Sequence, residues 1–170
     1  MRFTREFFHC GEPLKATFAG QIEQVEAVLE EVGWTPEHSA ATSKATLHHQ
    51  AAYNQSFREG FLARGWEAQP VLIEQPKLIG DFRKDLVFVE IQFGNSSALY
   101  RDYYKFQYGL AQGLLSLAVL IVPESPSAFF PTRPASVRNM AEARLARKCL
   151  TTLPIWVPTV VYGLLSGEIP

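Results

Sequence analysis

Residues 80–95 read Gly80-Asp-Phe-Arg-Lys-Asp-Leu-Val-Phe-Val-Glu-Ile-Gln-Phe-Gly-Asn95, and this stretch decides the fold. Residues 86–93 are rich in β-branched and aromatic types, which predicts a strand with side chains alternating between two faces. Val87, Val89, Ile91 and Phe93 then share one face, and Phe88, Glu90 and Gln92 the other. An ionised Glu flanked by Val and Ile is costly to bury without a partner. A divalent cation is one such partner.

Asp81 stands nine positions before Glu90, and Arg83, Lys84 and Asp85 form a polar turn between two apolar runs. The pattern fits a β-hairpin with Leu78 and Ile79 on its first arm. A turn centred on Lys84 or Asp85 sets Asp81 opposite Val87 to Val89, one to three positions from Glu90. Only the shorter offsets let both carboxylates reach one ion, and register is not readable from sequence. Mg²⁺ suits such oxygens, because it keeps several waters and binds best when a phosphate completes its shell.

Asp81, then Glu90-x-Gln92, then Phe93-Gly-Asn95, then the helix segment Tyr100-Arg-Asp-Tyr-Tyr-Lys105 resembles the type II restriction endonucleases of the BglII and BstYI kind, within the PD-(D/E)XK nuclease superfamily. The similarity spans roughly residues 46 to 150 and is most specific at 80 to 106. It implies an α/β fold with a mixed central sheet flanked by helices on both faces. It also implies a homodimer cutting double-stranded DNA at a short palindrome, each subunit cutting one strand. Asp81 and Glu90 would hold Mg²⁺, with the Ile91 carbonyl as a further ligand. The ion would lower the pKa of a water that attacks phosphorus in line and would stabilise the leaving 3′ oxygen. Gln92 would orient the water or a phosphate oxygen. Lys is usual at that position in the superfamily, and a neutral amide brings no charge to the scissile phosphate. A DNA-binding protein without cleavage, or an unrelated cytosolic α/β protein with exposed hairpin charges, are the competing readings. Relatives of this kind cut hexamers with a GATC centre, a target this sequence does not specify.

Gly94-Asn95-Ser96-Ser97 breaks the strand before a helix expected at 98–112. Asn pairs with adenine and Ser with either sort of base edge in the major groove. In the resembled family this loop reads bases, which makes Asn95, Ser96 and Ser97 readout candidates; helix capping by Asn95 or Ser97 is the structural alternative. Arg101, Tyr104 and Lys105 fall near one helical face as phosphate contacts, with Tyr100, Tyr103 and Phe106 at core and rim. Leu114 to Val122 is an apolar run closed by Pro123, expected as a buried central strand with helices on both faces. The proline-rich segment 123–134 is expected as an extended loop leading to a basic helix at 136–150. By position it matches a second DNA-contacting region of the family, with Arg133 and Ser136 as candidates, against a plain proline-braced surface loop.

Ile22, Val25, Val28, Leu29 and Val32 predict a helix over 18–32 ended by Gly33. Its glutamates form an exposed face, with Glu23 or Glu26 as a less favoured source of a site carboxylate. A second helix is expected at 43–64, with Leu47, Phe57, Phe61 and Leu62 inward. His48 and His49 are adjacent, point about 100° apart and do not form a metal pair. Val71 to Glu74 is a short edge segment, residues 2–9 a strand or extended arm, and Ile155 to Leu165 an edge strand or dimer-facing segment.

At 170 residues and 47% hydrophobic content, one domain over 1–170 is expected. No apolar run approaches a membrane span and the N-terminus lacks a signal-peptide core, so a cytoplasmic protein with no membrane association is expected. Cys10 and Cys149 are far apart with no metal spacing, which fits two reduced thiols. A net charge of −1 argues mildly against DNA binding. Its distribution softens that: Arg133, Arg138, Arg144, Arg147 and Lys148 face a single acid, Glu142, in 131–150, whereas Glu23, Glu26, Glu30 and Glu31 crowd 21–31. No zinc spacing, phosphate-binding Gly loop or serine-hydrolase elbow occurs.

Overall fold

The computed structural model describes residues 1–34, 50–75, 77–131 and 137–167, and the backbone alone at 39–41 and 46–48. In chain order the elements are β1 (Phe3–Phe8), α1 (Glu12–Thr17), α2 (Ala19–Val32), β2 (Ser39–Ala41), β3 (Thr46–His48), α3 (Gln50–Ala63), β4 (Glu67–Ala68), β5 (Val71–Ile73), β6 (Leu78–Ile79), β7 (Phe82–Lys84), β8 (Val87–Ile91), α4 (Ala98–Ala111), β9 (Leu117–Pro123), α5 (Pro126–Phe129), α6 (Ala143–Thr152) and β10 (Thr159–Leu164). Six strands form one mixed sheet in the order β1-β10-β9-β8-β7-β4. The β8–β9 and β9–β10 pairs are parallel and the others antiparallel. Parallel neighbours need a crossover. Helix α4 supplies one, and α5 with α6 lies on the other.

Every residue of β9 is buried, as the unbroken apolar run requires of a strand covered on both faces. Leu117, Val119 and Ile121 join Val25 and Leu29 of α2 and Phe57 and Phe61 of α3. Ala118, Leu120 and Val122 join Leu99 and Phe106 of α4 and Ala146 and Leu150 of α6. The same period of two runs through β8, where Val87 and Val89 meet the first layer and Phe88 the second. Helices therefore cover both faces, as expected.

Several boundaries differ from the sequence expectation. A short helix, α1, precedes α2; Pro13 sits in its first turn, where a missing N–H costs nothing. The second helix starts at Gln50, and 46–48 is instead a strand paired with 39–41. His49 lies outside the described residues, and His48 is on β3. Leu62 is 45% exposed, while Tyr53, Phe57 and Phe61 carry the core stripe of α3. Leu78 and Ile79 pair with β5 in a separate ribbon rather than forming the first arm of the site hairpin; that arm is β7. The 123–134 segment is not extended throughout, because Pro126 opens α5 and Phe129 and Phe130 are fully buried.

The C-terminal segment is the largest correction. It forms β10, an interior strand with all six residues buried between β1 and β9, and not an edge. Pro158 stands just outside the strand and breaks no ladder bond within it; its carbonyl accepts the Ala118 N–H at 2.9 Å. Helix α6 begins at Ala143 rather than 136, because residues 139–141 are tied to the loop after β8. Ser96 N–H donates to the Asn139 carbonyl at 2.7 Å and Ala141 N–H to the Gly94 carbonyl at 2.9 Å, around an Asn95–Met140 bridge.

Candidate active site

The β7–β8 hairpin turns through Asp85 and Leu86, with Lys84 paired to Val87 and Phe82 to Val89. Asp85 takes a positive φ of 52°, a conformation Asp tolerates better than most residues. Continuing that register sets Asp81 opposite Glu90 itself, not opposite Val87 to Val89, an offset of zero instead of the one to three positions expected. The segment is pinned from its other side: Gly80 N–H donates to the Pro70 carbonyl at 3.0 Å, and Gln69 N–H to the Asp81 carbonyl at 2.8 Å. Asp81 Oδ2 in turn accepts the Ile91 N–H at 2.7 Å.

Asp81, Glu90, Gln92, Arg101 and Lys105 line one cavity of about 380 Å³. Glu90 is 3% exposed, and its Oε1 has no hydrogen-bond partner among the described residues. Burial first, and then repulsion from Asp81, push the Glu90 carboxyl well above the ordinary range, although Lys105 pulls the other way. The Asp81 carboxyl is raised too, chiefly by burial, with the Ile91 N–H opposing. Two facing carboxylates with an orphaned oxygen form a donor set that fits a hard divalent cation, which takes oxygen ligands. Among the described residues no group of three or more His, Cys, Asp or Glu is placed to hold a metal.

Helix α4 brings in residues whose burial the sequence did not disclose. Lys105, expected beside Arg101 and Tyr104 on an exposed face, is only 4% exposed. Its Nζ lies 2.9 Å from Glu90 Oε2 and 3.1 Å from Asp102 Oδ1. Burial lowers the Lys105 pKa, but the charges of Glu90 and Asp102 outweigh it, and the net shift is upward. Asp102 is fully buried and accepts from Gln92 Nε2 at 2.5 Å, while Gln92 Oε1 accepts the Gly94 N–H at 2.8 Å. One N–H and one lone pair of the Gln92 amide remain uncommitted. A signal for Asp102 was present: it falls at i+3 in the stripe Leu99, Asp102, Tyr103, Phe106.

Asn95 is exposed and its Oδ1 accepts the Ser97 N–H at 2.9 Å, so it braces the start of α4 and leaves its amide NH₂ without a partner among the described residues. Ser96 is half-buried and Ser97 exposed, with no cap bond from the Ser97 side chain. Tyr100 and Tyr104, 55% and 58% exposed, flank Arg101 on the open side of α4, so Tyr100 is not core. Arg133 and Ser136 lie outside the described residues. Of the basic run, Arg147 is spent internally on Glu124 at 2.6 Å and Glu6 at 3.0 Å, whereas Arg138 and Lys148 are exposed. Glu26 bonds Arg5 and Tyr162, away from the site. Cys10 and Cys149 are free thiols, and no described helix is long and apolar enough to cross a membrane.

A mixed sheet with helices on both faces, carrying two carboxylates where a hairpin meets the crossover helix, is the architecture of the restriction-endonuclease fold. The solved structure of restriction endonuclease BglII complexed with a DNA 16-mer shares it, with a TM-score of 0.78 and 16% identity over 99% of this chain and 78% of that one. No curated protein matches the sequence. The family described as restriction endonuclease BglII/BglIII matches residues 3–157, and the chain belongs to it. It is a type II site-specific deoxyribonuclease.

Proposed function

We propose that the chain is an Mg²⁺-dependent endonuclease that cleaves double-stranded DNA at a short palindrome as a homodimer. The carrying observation is the buried Glu90, with one oxygen orphaned, lining one cavity with Asp81. Asp81 and Glu90, with the Ile91 carbonyl, would hold the ion. When bound, Mg²⁺ supplies Lewis-acid polarisation of the phosphate and of the attacking water. The residues do the rest: Glu90 and Asp81 keep the pocket's oxygens fixed, Gln92 offers its spare N–H and lone pair to the water or a phosphate oxygen, and Arg101 at the rim contacts the backbone. Two-fold DNA symmetry is matched most economically by a two-fold protein. A plasmid digest with and without Mg²⁺, run beside a gel shift in Ca²⁺, tests the reading. Discrete fragments only with Mg²⁺ support it; a shift without cutting makes the chain a DNA binder, and neither result removes both.

Metal binding should be pH-linked with a definite sign. Both carboxyls must be ionised to hold the ion, and burial raises both pKa values, that of Glu90 well above its ordinary value. Binding therefore releases protons, and affinity weakens as pH falls, beginning above the ~4.3 usual for Glu. Calorimetry in two buffers of different ionisation enthalpy measures the release. Affinity that stays flat down to the ordinary carboxylate range would contradict the assignment.

Asn95→Ala should weaken specific binding by about 1–3 kcal/mol and leave nonspecific binding nearly unchanged, because base contacts discriminate and phosphate contacts do not. The free amide NH₂ is the group expected to meet a base edge. Competition between cognate and random duplex at several salt concentrations reads this out. Equal losses on both would leave Asn95 as the brace of α4 alone.

A further inference from the structure

We propose that Lys105 is a catalytic residue: from α4 its ammonium supplies a fixed positive charge to a non-bridging oxygen of the scissile phosphate, with Asp102 and Gln92 as positioning residues. The inference rests on the nuclease reading above and adds a residue to it.

The strand position two residues after Glu90 holds Gln92, which is neutral and turns its amide toward Asp102 at 2.5 Å. Asp102 in turn lies 3.1 Å from Lys105 Nζ. The chain Gly94–Gln92–Asp102–Lys105 thus runs from the strand to a cation on the next element, and that cation lines the same cavity as Asp81 and Glu90. An ammonium has three donors. Lys105 Nζ stands within ion-pair distance of Glu90 Oε2 and Asp102 Oδ1, and no further partner for it is found among the described residues. Asp81, Glu90 and Asp102 together repel a phosphodiester, and Arg101 at the rim is too exposed to offset them fully. A buried ammonium held in place beforehand costs little reorganisation when charge grows on the phosphate oxygens. No bond to Lys105 forms or breaks. The oxygen of water bonds to phosphorus and gives up a proton to solvent, the P–O3′ bond breaks with its electron pair going to the 3′ oxygen, which takes a proton from solvent, and the lysine keeps its own proton throughout.

The test compares wild type with Lys105→Met on a duplex whose cut site has been mapped from the plasmid digest, carrying each phosphorothioate diastereomer at the scissile phosphate. Single-turnover cleavage should slow by about 10²-fold or more, the cost of removing one donor aimed at developing charge. Affinity for the duplex in Ca²⁺ should stay within about threefold, since one phosphate contact among many is lost. Calorimetric Ca²⁺ affinity should equal or exceed that of wild type, because a competing cation beside Glu90 is gone. The slowing that sulfur causes at the lysine-contacted oxygen in wild type should vanish in the variant. Wild-type cleavage by Lys105→Met, an undiminished sulfur effect, or a loss of Ca²⁺ affinity in step with cleavage would overturn the proposal in favour of a counterion that only holds Glu90. If Lys105→Met does not fold, Lys105→Gln, which keeps donors for Glu90 and Asp102, takes its place; failure of both to melt cooperatively also overturns it. A wild-type protein that leaves DNA uncut in Mg²⁺ sinks the nuclease reading itself, a result distinct from all of these.

Discussion

Asp81→Ala and Glu90→Ala should each lower cleavage by roughly 10³-fold or more, since loss of metal-borne stabilisation of about 4 kcal/mol reaches that factor. The two variants should differ in stability. Asp81 Oδ2 is the acceptor for the Ile91 N–H, so its removal leaves a part-buried donor unmet, a cost of about 1–3 kcal/mol. Glu90→Ala removes one of the two carboxylates that face the buried Lys105, leaving it with Asp102 alone. Asp81→Asn and Glu90→Gln keep volume and an acceptor, so they separate chemistry from folding. Digestion with time, beside thermal melts of all four, makes the comparison. Near wild-type cutting by either isosteric variant would show that the cavity is not where the reaction occurs.

Gly80→Ala should be the most damaging single-methyl change in the site region. A Cβ there would stand 1.9 Å from Phe88 Cζ and 2.4 Å from its Cε1. Phe88 is fully buried and its ring packs edge-on against Phe106, with centroids 6.4 Å apart, so it has little room to move. Overpacking of this kind costs about 1–3 kcal/mol. At this chain length each kcal/mol lowers Tm by roughly 2–4 °C. Because Gly80 precedes Asp81 and its N–H is bonded to Pro70, relief of the clash has to move the carboxylate, so cleavage should fall with stability. Phe88→Leu removes the clashing ring atoms, and the double variant should lose less than the two single losses added together. A Gly80→Ala protein that melts and cuts like wild type would mean that the backbone yields without disturbing either neighbour.

Much of the fold was legible because its signals are local. The alternation of residues 86–93 set the two faces of β8, the apolar run 114–122, broken only by Ser116, set a strand covered on both sides, and the spacing of Ile22, Val25, Val28 and Leu29 set α2. The acidic pair stood out for a similar reason: Glu90 sits among strand formers, where solvation is poor, and Asp81 lies within one hairpin of it. The family's pattern of residues ran through the same short stretch.

What only the tertiary structure decided depends on partners distant in sequence. Ile155 to Leu165, with Pro158 inside the run, carries the composition of an edge, yet β10 lies between β1 and β9, because its neighbours come from residues 3–8 and 117–123. Asp81 stands level with Glu90 because the hairpin reverses between Asp85 and Leu86, later than a turn centred on Lys84 or Asp85, a choice no side-chain pattern fixes. Lys105 and Asp102 are ordinary surface residue types on a helix. They are buried because Glu90 on β8 and Gln92 just after it supply the counter-charge and the hydrogen bond that make burial tolerable. Sequence by itself determined β8, β9 and α2 and where the carboxylates lie along the chain. Pairing of the strands, and with it the convergence of two carboxylates, an amide and a lysine on one cavity, was settled only by the packed sheet, since the free energy of burying a charge depends on what lies opposite it.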